Sequence, residues 1–433
     1  MLLNNAEIDL GDLRLCCSFG VPDSLRPLCW RLLLGYLPVQ RQQWPVYLRK
    51  QREIYNSLIE DVIVHPDQSS VAPDHRTPLN LNPNSQWNNY FKDNEILAQI
   101  DKDVRRLCPE IDFFQRITSY PHRFAFQREK KQLKFVSSSI ISVREMLVLS
   151  IILAVCHIPH LLYVIFSNSL VFFFFQFIAS PTKTASKEYS NVVDENVEYH
   201  WQVVERVLFM YSKLNPGVKY VQGMNEIMGP LYYVFASDAD GEWAEAAEAD
   251  TYYCFQLLMS EIKDNFIKTL DTSNCGIESL LVEFYEILKN CDPELYNHLV
   301  DVGIKPQFYA FRWLSLLLSQ EFPLPDVINI WDSLFSSPDR LRFLHWICLA
   351  MMEKVRVPLL EGDFTACLEM LQNYHETDVG ELIVIAHKMN EGCYCFKNSC
   401  KHSMKSSFLK LEMNPTVKIA SAFSNVLRTL SKK

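Results

Sequence analysis

Residues 199–225 read YHWQVVERVLFMYSKLNPGVKYVQGMN. Trp201, Val204, Leu208 and Tyr211 recur at i, i+3, i+7 and i+10, which places them on one face of an α-helix. Asn215-Pro216-Gly217 then stops that helix. Working outward, the same period returns along most of the chain. Residues 8–62 read as helical: Gly20-Val21-Pro22-Asp23 forms a turn able to launch a helix, and Leu25, Leu28, Cys29, Leu32 and Leu33 follow at helical spacing. Residues 63–90 are polar and proline-bearing and predict a loop, after which Ile96, Ile100, Val104 and Leu107 form a single stripe over 92–107. From 244 to 390 the pattern predicts helices beginning near Ala244, Glu278, Gln307, Leu324 and Asp339, with short turns such as Asp271-Thr272-Ser273-Asn274 between them. Few segments alternate as strands do and no internal repeat is present, so the class is all-α.

Composition agrees. The chain has 433 residues, enough at roughly 150 per domain for two or three domains or one large one. Hydrophobic residues at 48% and charged residues at 21% describe an ordinary globular protein rather than a disordered one. Glycine is scarce, 12 residues in all, against the needs of a doubly wound nucleotide-binding sheet. The net charge of −9 and the pI near 5.7 argue against a nucleic-acid partner. The 13 cysteines are odd in number and include the adjacent pair Cys16-Cys17, so no regular disulfide framework is implied. The opening MLLNNAEIDLGDLRLCC has no basic stretch followed by an apolar core. A reducing, cytosolic compartment is expected. No G-x-x-x-x-G-K-[ST] occurs, so the chain itself is not expected to hold GTP by a P-loop. Cys393, Cys395, Cys400 and His402 lack paired zinc-ligand spacing and read as free thiols and a surface histidine, with no metal.

Two short motifs carry chemistry. In Ile100-x-x-Asp103-x-x-Arg106 the isoleucine faces the core, while Asp103 and Arg106 share a face and can pair; alone, this is an ordinary surface ion pair. In Tyr220-Val221-Gln222-Gly223-Met224-Asn225 a glutamine sits beside a glycine just past a helix end. Glycine permits close approach by a partner, although a tyrosine and a methionine packing under a turn explain the residues equally well.

In this order, the two motifs resemble the arginine-finger and glutamine-finger motifs of the TBC domain, I-x-x-D-x-x-R and Y-x-Q-G-M. Gly20-Val21-Pro22 with Leu25-Arg26 and Trp30-Arg31 resembles the family's opening helix. Phe311-Arg312-Trp313, Glu321-Phe322-Pro323-Leu324 and Ile330-Trp331-Asp332 resemble its C-terminal half. The resemblance covers about 20–125 and 190–388. It implies a multi-helix domain over 20–390, preceded by a segment 1–19 and followed by a divergent tail 391–433.

The resemblance further implies a GTPase-activating protein for a GTP-bound Rab-family small GTPase in vesicle trafficking. Arg106 would stabilise charge on the transferred phosphoryl group and Gln222 would position the attacking water. Asp103 would orient Arg106, Tyr220 would brace the loop, and Gly223 with Met224 would complete it. GTP and magnesium would belong to the partner, with no cofactor on this chain. Location would be cytoplasmic, with recruitment to membranes through the Rab. Arg105, one residue off the motif, reads as a partner contact or a solvated charge. Trp30, Trp201, Trp313 and Trp331 read as core, and Arg31, Arg312 and Asp332 as helix-packing ion pairs.

Residues 135–182 depart from the family pattern, lying between the two motifs with no charge from Met146 to Thr182. By length the stretch qualifies as a membrane span, although His157, Pro159, His160, Ser167 and Asn168 interrupt it. A single crossing would put Arg106 and Gln222 on opposite sides of a bilayer. Two crossings broken near 156–160 would need halves shorter than the roughly 17–20 residues a bilayer requires. Two rival readings follow from this stretch: a membrane-anchored variant, and a catalytically silent Rab-binding scaffold disabled by the insertion. Phe172-Phe173-Phe174-Phe175-Gln176 is what a pyrimidine-rich tract followed by CAG encodes, the form of a splice acceptor read through in frame. Much of 135–176 therefore reads as retained intron or an alternative isoform. Sequencing transcripts across this junction should find most of them without the segment; a majority retaining it would refute this origin.

Overall fold

The computed structural model describes residues 5–62, 86–122, 197–267, 276–375 and 377–392. Among them the regular structure is helical, with two isolated antiparallel bridges, Glu7 with Gln40 and Ile117 with Tyr199, and no strand. The all-α expectation holds. No described helix is long and apolar enough to cross a membrane; the apolar stretch 135–182, the turn at 271–274 and the tail lie outside the described residues.

The N-terminal half begins with α1 (Leu10–Cys17), whose first N–H groups bond the Asp9 carboxylate, and α2 (Arg26–Leu33), opened by Pro27. There follow α3 (Trp44–Val62), α4 (Gln86–Val104), α5 (His200–Leu214) and α6 (Met224–Ala236). Then come α7 (Gly241–Glu245) and α8 (Ala247–Ile262). The C-terminal half comprises α9 (Ile277–Cys291), α10 (Pro293–Asp301), α11 (Ala310–Ser315) and α12 (Leu324–Ser336). It closes with α13 (Arg340–Lys354), α14 (Arg356–Glu361), α15 (Phe364–Gln372) and α16 (Val379–Asn390). One apolar cluster runs from Ile8 to Met389. Ile8, Leu13 and Cys17, which the sequence reading sets in a segment before residue 20, belong to it, and α1 packs on α12.

Three details differ from the sequence reading. Helix α4 starts at Gln86, so residues read as loop form its first turn; Trp87, Tyr90 and Phe91 already stand at helical spacing there, a signal overshadowed by the polar, proline-bearing run before it. Helix α6 went unread because it is apolar on every side and contains Gly229-Pro230, a breaker pair. It packs against α2, α4, α5, α7, α8 and α12, and a helix buried all round shows no amphipathic period. The helix expected near Gln307 is a 3₁₀ turn, Pro306–Phe308, followed by the short α11. It ends where Leu317 and Leu318 take φ values of 51° and 63°, a left-handed conformation rare for leucine.

The matched tryptophans are core as expected: Trp30, Trp313 and Trp331 are fully buried and Trp201 nearly so. The charged residues near them pair across helices. Asp332 accepts from the Trp30 indole at 2.7 Å, the Val21 N–H at 2.8 Å and Arg26 Nε at 3.1 Å. Arg31 bonds Asp250 at 2.9 Å and Asp238 at 3.0 Å, and Arg312 bonds Glu321.

Another buried arginine fastens the two sides of the undescribed stretch 123–196. Thr118 N–H donates to the Glu198 carbonyl at 2.8 Å and His200 N–H to the Arg116 carbonyl at 3.0 Å. The Glu198 carboxylate accepts from His122 N–H at 2.7 Å and from Arg206. Arg206 also grips Glu248 through two bonds of 2.7 Å, and Tyr55 donates to Glu248 at 2.9 Å. Burial alone would raise the Glu248 carboxyl, but the Arg206 guanidinium outweighs it and holds the group below its usual range. Arg206→Leu strands two buried carboxylates and should cost about 3–5 kcal/mol in denaturant unfolding; a loss below about 1 kcal/mol, the value of an exposed pair, would show that the clasp is not a structural keystone.

Candidate functional site

The site starts from the C-terminal end of α4. Ile100, Val104 and Leu107 are buried, so the core stripe fixes the helix rotation and turns the neighbouring face, with Asp103 and Arg106, to the rim. Past Val104 the helix tightens: Arg106 N–H bonds the Asp103 carbonyl and Leu107 N–H the Val104 carbonyl, each at 3.2 Å. The Arg106 side chain is 68% exposed while that of Asp103 is 8% exposed. A mostly solvated cation is thus tethered by a mostly buried anion. Arg106 Nη2 donates to Asp103 Oδ1 at 3.0 Å and Nε to the Lys102 carbonyl at 3.0 Å. Two bonds of a five-donor guanidinium orient it and leave donors for a partner.

The second motif comes to the same carboxylate. After Asn215 ends α5, Lys219 at φ 63° turns the chain back. Tyr220 is buried, and its hydroxyl donates to Asp103 Oδ2 at 2.7 Å across 117 residues of sequence. Burial and the facing carboxylate raise this phenol far above its usual range, so it stays a proton donor. Val221 N–H reaches the Met224 sulfur at 3.5 Å, Met224 N–H bonds the Val221 carbonyl at 3.1 Å, and Met224 is fully buried beneath the loop.

Gly223 stands at φ 104° at the start of α6, and a Cβ there would lie 2.8 Å from Leu316 Cδ2. Both the angle and the space call for glycine. Gln222 is exposed. With Arg106 it lines one open depression of about 390 Å³, completed by Glu95, Gln99 and Lys102 of α4.

The six candidate site residues, Asp103, Arg106, Tyr220, Gln222, Gly223 and Met224, therefore lie together. Arg105 corrects its sequence reading: its guanidinium lies 4.2 Å from the Trp201 ring centroid and its Nε donates to Asp101 at 2.8 Å. It packs α4 onto α5 rather than standing as a free charge. Sequence reasoning overlooked Lys102, Gln99 and Glu95, whose spacing of three and four residues on the face that leads to Arg106 is a usable signal. It also left Glu226 without comment. Burial pushes the Glu226 carboxyl up to about 7, against the opposing hydrogen bonds from Asn225 and Gln320. Among the described residues no group of three or more His, Cys, Asp or Glu side chains is arranged for a metal, and Cys393, Cys395, Cys400 and His402 lie outside them.

Over 410 residues the sequence is 46% identical to TBC1 domain family member 13 of Homo sapiens, covering 90% of this chain and 96% of that protein. The chain belongs to the Rab-GTPase-TBC domain family. The family's model matches residues 182–360, so within this TBC chain it includes the glutamine motif and begins after the arginine motif. A TBC domain-containing protein of Schizosaccharomyces pombe is 32% identical, covering 98% of this chain and 76% of its own length. The crystal structure of the Ypt/Rab-GAP domain of Gyp1p superposes with a TM-score of 0.59 at 22% identity, over 90% of this chain and 95% of that one. That likeness establishes the shared TBC fold.

The raised Glu226 carboxyl has a consequence for stability. A group whose pKa is higher folded than unfolded contributes stability that is complete below its unfolded value and lost as pH rises through its folded one. For Glu226 that loss develops between the ordinary glutamate value of about 4.3 and about 7. Glu226→Gln should be more stable than the wild type by about 1–2 kcal/mol at about pH 8, and equal to it near pH 4. Denaturant unfolding across that range checks this; a gain that does not grow with pH would mean the carboxyl is not buried uncharged.

Proposed function

We propose that this chain activates the GTPase of Rab-family proteins, with Arg106 and Gln222 supplied in trans as arginine and glutamine fingers. The observation that carries the reading is the shared depression: two motifs far apart in sequence converge on Asp103 and present an exposed guanidinium beside an exposed carboxamide. That pair matches what slow GTP hydrolysis lacks. Charge develops on the transferred phosphoryl oxygens, and a planar guanidinium offers a fork of donors to them. Water must also be held in line with the leaving group, and a carboxamide can both accept its proton and donate to the phosphate. Asp103 keeps Arg106 aimed before the partner arrives, which reduces the ordering cost of the encounter.

The GTP-bound partner supplies the nucleotide and its magnesium, and the chain needs no cofactor of its own. Residues 20–390 act as the TBC unit in regulating vesicle traffic, and reach intracellular membranes from the cytoplasm through the Rab. The relatives named TBC1 domain family member 13 and the Ypt/Rab-GAP domain of Gyp1p support the reading by their names and by likeness.

Phosphate release from a panel of GTP-loaded Rab proteins tests it. At least one Rab should be stimulated, and Arg106→Ala should lower that stimulation by roughly three orders of magnitude. Arg106→Lys should fall far short of rescue, since an ammonium lacks the fork. A folded chain that binds a GTP-loaded Rab without accelerating it would instead be a silent scaffold.

A further inference from the structure

The loop that carries Gln222 is not closed by helix hydrogen bonding. Gly223 precedes the first turn of α6 in a left-handed conformation and has no side chain to cap it. Its N–H is taken by the side chain of Asn225, which is 3% exposed, at 3.2 Å to Oδ1. The same oxygen lies 3.3 Å from the Tyr220 hydroxyl, whose proton goes chiefly to the charged and nearer Asp103. Asn225 Nδ2 donates to Glu226 Oε1 at 2.8 Å. The oxygen and one N–H of this buried amide are thereby committed to the Gln222 loop and its neighbour Glu226.

The bond to Gly223 N–H matters most. That N–H belongs to the peptide plane that also contains the Gln222 carbonyl, and the plane is rigid. Anchoring one edge of it sets the backbone from which the Gln222 side chain departs. No described hydrogen bond holds the Gln222 carboxamide itself, so its direction depends on that anchor. We infer that Asn225 is a positioning residue that fixes the Gln222–Gly223 peptide and thereby aims Gln222 across the depression toward Arg106. The inference rests on the reading of Gln222 as the water-positioning group and adds to it what holds that group in place. Without Asn225 the buried Gly223 N–H loses its acceptor, and the loop relaxes around a glycine free to take other angles.

Two measurements on the full chain test this. In GTPase assays, Asn225→Ala should lower kcat by about tenfold, the order expected for one hydrogen bond lost from a preorganised site, with KM for the GTPase within about twofold. In a Gln222→Ala background the same substitution should change kcat by less than about twofold, because its effect passes through Gln222. Asn225→Asp keeps an acceptor for the Gly223 N–H but gives up the donor to Glu226, so its kcat loss should be smaller than that of Asn225→Ala.

Independently of any GTPase, hydrogen exchange at the Gly223 amide should accelerate at least tenfold in Asn225→Ala and stay slow in Asn225→Asp. An equal kcat loss with and without Gln222, or an unchanged Gly223 exchange rate in Asn225→Ala, would overturn the assignment. If the unmutated chain stimulates no GTPase, the activating function fails, while the amide measurement still decides whether Asn225 holds the loop.

Discussion

The two oxygens of the Asp103 carboxylate are divided between the two halves of the site. One takes the Arg106 guanidinium at 3.0 Å and the other the Tyr220 hydroxyl at 2.7 Å. Neither bond would amount to much on the surface, where an exposed ion pair contributes little. Asp103 is nearly buried, so its charge must be satisfied from within reach, and the side chains that bond it are the groups that the site needs in register. The requirement to pair a buried anion becomes a rule for where an exposed cation stands. The rest of the N-terminal half serves this arrangement. Ile100, Val104 and Leu107 fix the rotation of α4, and Leu107 packs so closely on Gly229 that a Cβ there would lie 2.9 Å from it. That contact sets the distance between α4 and α6, and so between the residues carried at their ends.

Elsewhere the interior is held by arginines that pair across helices. Arg31 is sandwiched between Phe235 and Trp243, each ring centroid 4.5 Å from its guanidinium carbon, while its nitrogens reach Asp250 and Asp238. Arg356 bonds Asp292, itself the cap of α10. Such pairs are dear to desolvate and add little net stability over apolar packing. What they add is geometry, since planar forks accept partners in few orientations. In a bundle of many short helices, whose apolar faces tolerate sliding, that selectivity fixes which helix meets which.

The sequence revealed some of this and withheld the rest for identifiable reasons. Helix α5 was readable because its apolar residues fall on one stripe over four turns. Helix α6, the most buried, was not, because a helix covered on all sides carries no periodic signal and its Gly229-Pro230 pair argues for a break. Arg106 and Gln222 were recognisable through their motif neighbours, and Arg106's pairing with Asp103 through helical spacing. That Tyr220 would close on Asp103 lies in long-range packing, which no local window contains. The stacking of Arg105 on Trp201 was hidden for the same reason, since the two are far apart in sequence. The left-handed Leu317 and Leu318, whose turn seats Leu316 against Gly223, leave no trace in residue type.

Finally, the clasp formed by residues 116–122 and 197–200 separates the length of the intervening chain from the geometry of the site. Closing a longer loop between anchored ends adds only about 0.6 kcal/mol for each doubling of its length. Arg106 and Gln222 are positioned by contacts among residues outside that interval. Two ends 75 positions apart in the chain are therefore held as neighbours by the domain itself, and the Arg106–Gln222 pair takes its separation from residues on either side of that clasp.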